Sequence, residues 1–220
     1  MDPRKIQQII DTGVDFDIQE ILQTAWVLFK ARASFHIGFM FIIGATQAFF
    51  AYYLEDFVSI YSILLAPALI AGFYLVANRL SQEEYVDFQN YFDGFKYWLL
   101  VVTINLISGI LTVLGIFALI LPGIYLAVGY MFAMLFGIFG GFDFWTSMEM
   151  SRKLVTTNWW KFFGFVLILL LLNIAGLLTF IIGILITVPV TYLAIYVLFE
   201  QLTKDAVDES SEGEKTITHL

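Results

Sequence analysis

From Tyr97 to Phe142 the chain carries no charged residue, and from Phe162 to Phe199 it again carries none. Apolar helices inside soluble cores are about 10–14 residues long, whereas crossing ~30 Å of hydrocarbon takes about 20 residues at ~1.5 Å each. Each uncharged run therefore holds two spans. Two further apolar runs, residues 33–54 and 57–78, are separated by Glu55 and Asp56. Six transmembrane helices follow. The runs are continuous rather than alternating, which excludes a transmembrane barrel. Composition agrees: 14% of residues are charged, against about 25% in an ordinary soluble domain, so much of the surface must face something other than water.

The direction of insertion is read from Arg4, Lys5, Lys30, Arg32, Arg79, Lys96, Arg152, Lys153, Lys161, Lys204 and Lys215. With six spans all of them fall on one side, and the opposite loops carry only Glu55 and Asp56 or no charge. By the positive-inside rule both termini are expected in the cytoplasm, as in a multi-pass protein of the bacterial inner membrane. The opening residues 1–16 are polar and lack a signal-peptide apolar region, so the first span is expected to serve as the uncleaved insertion signal. Much of the net charge of −8 lies in the stretch 203–220, which reads as an acidic disordered tail. No cysteine is present, so disulfides, thiolate metal sites and cysteine nucleophiles are excluded.

One unit recurs. "AWVLFKAR" contains Lys30, "FDGFKYW" contains Lys96 and "NWWKFFG" contains Lys161. Each lysine follows an aromatic residue and precedes a span. Each following hairpin contains one proline: Pro67, Pro122 or Pro189. The last two copies also share an asparagine ten residues before a glycine, Asn105 with Gly115 and Asn173 with Gly183. Before each lysine lies an amphipathic segment too polar to span and suited to the headgroup layer. In the first, Ile18, Ile21, Leu22, Ala25, Trp26 and Phe29 share a helical face behind an Asp17/Glu20 start. In the second the face is Tyr85, Phe88, Phe92 and Phe95, with Ser81 and Glu84 at the capping spacing. The third, Trp145, Met148 and Val155, is weaker. The predicted fold is an all-α integral membrane protein. Six transmembrane helices carry three amphipathic interfacial helices on the cytoplasmic side, in a pseudo-threefold repeat. The repeats run over about 17–80, 81–142 and 143–202, so the membrane domain is 17–202. Trp26, Lys30, Lys96, Trp98, Trp159, Trp160 and Lys161 are its expected interface anchors, with rings at headgroup depth and ammonium groups reaching water.

The segments "LPGIYLAVGYMFAM", "FWTSMEMSRKLVTTNWWKFFGFVLILLLLNIAG" and "GILITVPVTYLAIYVLFE" resemble a family of uncharacterised bacterial six-span membrane proteins. That family is related to the membrane domain attached to some glycerophosphodiester phosphodiesterases. The resemblance covers roughly Asp17 to Glu200. It implies the six-span fold and no catalytic residue. Some similar sequences carry a carotene-cleaving oxygenase label, which implies iron held by several histidines; this chain has His36 and His219.

Asn105 and Asn173 are amides inside apolar spans, either contacts to a substrate at the bundle centre or partners in an interhelical hydrogen bond. Pro122 and Pro189 either kink their helices, freeing the carbonyls of Ala118 and Leu185, or stand in a first turn where no bond is lost. Gly129, Ala133, Gly137 and Gly141 place small residues at every fourth position, a face for close packing within the bundle or against a second copy. No charged residue lies inside a span, which argues against ion-coupled transport. Asp93, Asp143 and Glu149 are the acids an interfacial lipid-modifying enzyme would need. No nucleophile-elbow, zinc-protease or phosphate-loop motif is present, and no basic surface suits nucleic acid. The expectation is a non-catalytic, cofactor-free membrane protein. Its interfacial helices would act on lipid organisation or dock a membrane partner, whether another protein or a second copy. A small-molecule or lipid channel or transporter is the alternative.

Overall fold

The computed structural model describes residues 1–179 and 182–217, and among these there is no β-strand. Six helical stretches are long and apolar enough to cross a membrane: Ala33–Tyr53, Glu55–Ser81, Phe88–Ala118, Ile120–Gly140, Trp159–Leu178 and Ile184–Lys204. The chain is thus an all-α, multi-pass membrane protein.

The polar opening is not a separate segment. Helix α1 (Pro3–Thr12) starts on an Asp2 cap, buries Ile6 completely and packs Ile9 and Ile10 against the main core. Phe16 follows it into that core and meets Phe162 at 5.0 Å. The expected boundary at residue 16 fails because Ile6, Ile9 and Ile10 form a helical face that the surrounding Arg, Lys and Gln residues dilute in any average.

Helix α2 (Ile18–Ala31) begins where Asp17 accepts the backbone N–H groups of Gln19 (2.7 Å) and Glu20 (3.3 Å). It buries Ile21, Ala25, Leu28 and Phe29. Helix α3 (Ala33–Tyr53) is the first span. The return path passes a 3-10 turn (Glu55–Phe57), the single turn α4 (Val58–Ile60) and a π turn (Tyr61–Leu65) before α5 (Ala66–Ser81). Pro67, without an N–H, is the second residue of α5, separated by one residue from that π turn. Wide turns of this kind absorb a break in the hydrogen-bond ladder.

The second amphipathic segment departs from its predicted form. Ser81 is the last residue of α5 and cannot start a helix; Asp87 and Asn90 form the capping box instead. Residues Phe88–Tyr97 then wind as a 3-10 helix. Three residues per turn bring Phe88, Tyr91, Gly94 and Tyr97 to one side. Tyr91 and Gly94 are buried, whereas Tyr85, Phe92 and Phe95 are exposed. A Cβ added at Gly72 would overlap the Tyr91 carbonyl, and one at Gly94 would overlap the Ala68 carbonyl. Two backbones therefore touch, which only glycine permits here.

Helices α6 (Trp98–Ala118) and α7 (Ile120–Gly129) form a tight hairpin with one residue, Leu119, between them. Gly115 lies inside α6, where an added Cβ would sit 3.0 Å from the Gly123 Cα. The helix is interrupted by a turn at residues 130–132 and resumes as α8 (Ala133–Gly140), closed by Gly141 at φ 71°. Helix α9 (Phe144–Thr156) is capped by Asp143. It buries Met148 and Val155 of the expected face, together with Ser147, Ser151 and Leu154, and leaves Trp145 exposed. Helices α10 (Trp159–Leu178) and α11 (Ile184–Ile217) close the fold. The stretch expected as a disordered tail continues α11 through Ile217; residues 218–220, His219 among them, lie outside the described residues.

Packing concentrates where the lysines and arginines are. There Phe132 meets Phe162 and Phe199 at 5.8 Å each, and Phe136 meets Phe199 at 5.0 Å. This joins the α7–α8 break, α8, α10 and α11 into one aromatic core.

Candidate functional site

The sequence-predicted positions fall in different places. Asn173 Nδ2 donates to Thr191 Oγ1 of α11 at 2.7 Å and to the Leu169 carbonyl at 2.8 Å, so it ties the last hairpin together. Asn105 stands partly buried on α6 with no side-chain hydrogen bond among the described residues, and the two amides are not brought together. Pro122 is the third residue of α7, where its absent N–H would have had no partner. Pro189 is the sixth residue of α11 and leaves the Leu185 carbonyl without its helical donor. The two prolines differ because the turns differ: α6 runs on past Gly115 to Ala118, whereas Gly183 immediately precedes α11.

The small-residue positions do not form one stripe, because the helix breaks between them. Gly129 ends α7 and faces Arg152, at 3.5 Å from an added Cβ to Cγ. Ala133 and Gly137 belong to α8, packed toward Ile104 and, at Gly137, Leu100. Gly141 is the left-handed cap. Ser151 of α9 repairs the break. Its Oγ donates to the Gly129 carbonyl at 2.6 Å and accepts the Phe132 N–H at 3.1 Å, both buried. Two backbone groups that a broken helix would leave exposed to lipid are thereby satisfied.

The anchors divide as well. Trp26 is 44% exposed and stacks on Phe29; Trp160 is 77% exposed. Lys30 is exposed. Trp98 Nε1 donates to the Leu64 carbonyl at 2.7 Å. Trp159 is wedged between Tyr125 and Phe163. Lys161 is paired with Asp15 and lies 5.0 Å from the Phe16 ring centre, so it tethers the N-terminal segment. That ammonium holds the Asp15 carboxyl below its ordinary range.

The three acids that sequence reasoning put forward are all in structural use. Asp93 pairs with Lys96 at 2.7 Å and Arg79 at 3.3 Å. Asp143 caps α9, and its bonds to Thr146 lower its pKa. Glu149 is held in a fork by Arg152 at 2.8 and 3.0 Å; the pair lowers the pKa of the glutamate and raises that of the arginine. His36 is buried between Phe29 and Phe73, with Nδ1 2.7 Å from Tyr91 Oη. Among the described residues no three metal-ligating side chains converge.

Two concavities flank α2. On one side a groove of about 490 Å³ lies between Ile18, Leu22 and Trp26 of α2 and Ile168 of the span α10. On the other a cavity of about 630 Å³ lies between α2, α5 and α11, reached by Glu20, Asn78, Ser81, Tyr196, Glu200 and Lys204. Sequence reasoning missed the second site. Glu200 stands there as the first charge after a long apolar run; its partner Ser81, and the Asn78 that holds its other partner Tyr196, lie more than a hundred residues away.

Compared with known protein families, characterised proteins and solved structures, the chain matches none. What fold and site define is a class: a multi-pass helical membrane protein whose amphipathic helices pack onto one end of its spans.

Proposed function

We propose that this is a non-catalytic membrane protein that acts on lipid through its amphipathic helices, in a bacterial inner membrane with both termini cytoplasmic. The carrying observation is the groove between α2 and α10. One wall is an amphipathic helix and the other is Ile168, on a span whose neighbours Leu167, Leu170 and Leu171 are exposed. The occupant of such a groove is an acyl chain of the surrounding bilayer, with Trp26 at the headgroup boundary. The structural employment of Asp93, Asp143 and Glu149 supports a non-catalytic reading. The three-copy repeat, and kinship with the bacterial six-span family, belong to the same proposal.

The channel or transporter alternative draws on the α7–α8 break. Ser151 fills the freed backbone groups there, so the break offers no ion site of the kind discontinuous helices build in transporters.

The experiment uses a variant with Trp26 as its sole tryptophan, in vesicles. Lipids brominated along the acyl chain quench Trp26 and soluble acrylamide does not; the reverse pattern rejects the lipid groove. For sidedness, Ser59→Cys reacts with an impermeant maleimide added to intact spheroplasts and Gln8→Cys does not. Reversed labelling overturns the topology.

A further inference from the structure

We infer that the cavity between α2, α5 and α11 is a binding site for a primary ammonium group carried beside a phosphate, the chemistry of an aminophospholipid headgroup.

The inference rests on Glu200. Asn78 Nδ2 donates to Tyr196 Oη at 2.8 Å, which turns the tyrosine hydrogen toward Glu200 Oε1 at 2.9 Å. Ser81 Oγ lies 2.7 and 2.6 Å from the two carboxylate oxygens and has one hydrogen to give. Both hydroxyl hydrogens of this network are thus directed at Glu200, the arrangement of an ionised acceptor. A carboxylate offers about four acceptor positions, and two hydroxyls fill two of them. Among the described residues no lysine, arginine or histidine nitrogen stands within 4.0 Å of it. A half-buried, pre-oriented carboxylate without a counter-cation, open to a cavity, is complementary to a cation that can donate hydrogen bonds.

The other charges narrow the ligand. Glu20 adds a second carboxylate, and Lys204 and the α-amino group of Met1 each add an ammonium, so the lining is formally neutral, as a zwitterionic headgroup is. With no third metal-ligating side chain converging among the described residues, an organic ammonium fits better than a divalent ion. Lys204 follows Glu200 by one helical turn, about 6 Å along α11, and suits a phosphate a few atoms from the bound ammonium. A volume of about 630 Å³ admits a headgroup. The same chemistry could arrive as free phosphoethanolamine. The lipid source rests on the function proposed above; the ammonium site does not.

The test is native mass spectrometry of the full chain, offered phosphatidylethanolamine, phosphatidylcholine and phosphatidylglycerol with matched acyl chains. Phosphatidylethanolamine is retained at least about tenfold better than either. The choline lipid has no N–H to give Glu200, and the glycerol lipid has no cation. Glu200→Gln abolishes the preference with the melting temperature held. Equal retention of the three lipids, or an unchanged preference in Glu200→Gln, overturns the site. If Glu200→Gln does not fold, Lys204→Gln leaves the network whole and weakens retention of phosphatidylethanolamine; unchanged retention overturns the site. Displacement by soluble phosphoethanolamine assigns a free ligand, and its failure to displace assigns the lipid. Loss of the headgroup preference with Trp26 still quenched by brominated chains removes the ammonium site alone. Loss of that quenching removes the lipid reading.

Discussion

The two ends of the spans are built on different principles. At the basic end, α1, α2, the 3-10 helix and α9 pack onto the spans, and Phe132, Phe162, Phe165 and Phe199 are almost wholly buried. At the hairpin tips the apolar side chains face outward: Phe117 is 85% exposed, Leu121 78% and Leu178 77%. Lipid is as apolar as those side chains, so nothing drives them together. Identity is therefore written at the basic end, where shapes must match, while the tips need only be apolar. Both proposed binding surfaces lie at the matched end.

Substitutions at the two ends should diverge, and the widest gap is at the touching backbones. Gly94→Val should prevent folding, because its side chain would enter the Ala68 carbonyl; Gly109→Val, with open space around it, should insert and purify normally. Size-exclusion profiles of the two decide this. Phe162→Ala should cost about 3–5 kcal/mol through the cavity it leaves. Phe117→Ala at a tip should change stability by about 0.5 kcal/mol or less. Chemical denaturation in one detergent compares them, and equal losses would break the contrast. Asn173→Leu should cost under about 1 kcal/mol, since Thr191 keeps its bond to the Thr187 carbonyl; Asn105→Leu should cost less still.

The smallest effect concerns pH. Lys161 lowers the Asp15 pKa in the folded chain. That contribution is present above the unfolded carboxyl value of about 3.9 and fades as pH falls through the lower folded value. Asp15 is fully exposed, so the effect is slight. Asp15→Asn should flatten, by a small margin, the loss of melting temperature between pH 6 and pH 3. An unchanged profile would show that the pair does not hold the N-terminal segment.

The spans were legible because hydrocarbon imposes one rule on every residue it touches, and Tyr97–Phe142 obeys it without exception. The amphipathic segments were legible as segments. Their contacts were not. Tyr85, Phe88, Phe92 and Phe95 fit a 3.6 period, which predicts an α-helix, and the three-residue turn is selected only by Gly72 and Gly94, where backbones of two elements meet. The break at 130–132 depends on Ser151, a partner outside the helix it repairs. The cavity depends on Ser81 and Glu200, which nothing local connects. Solvent preference is a property of one stretch of chain; a site is a property of several.

The claim that joins these observations is that lipid lies against α2. A phosphatidylethanolamine bearing a photoactivatable acyl chain, cross-linked in native membranes and mapped by peptide mass spectrometry, tests it directly. The account predicts adducts on Ile18–Trp26 and around Ile168, lost when Leu22→Trp fills the groove. Adducts spread evenly over the exposed tips, with none on α2, would contradict it.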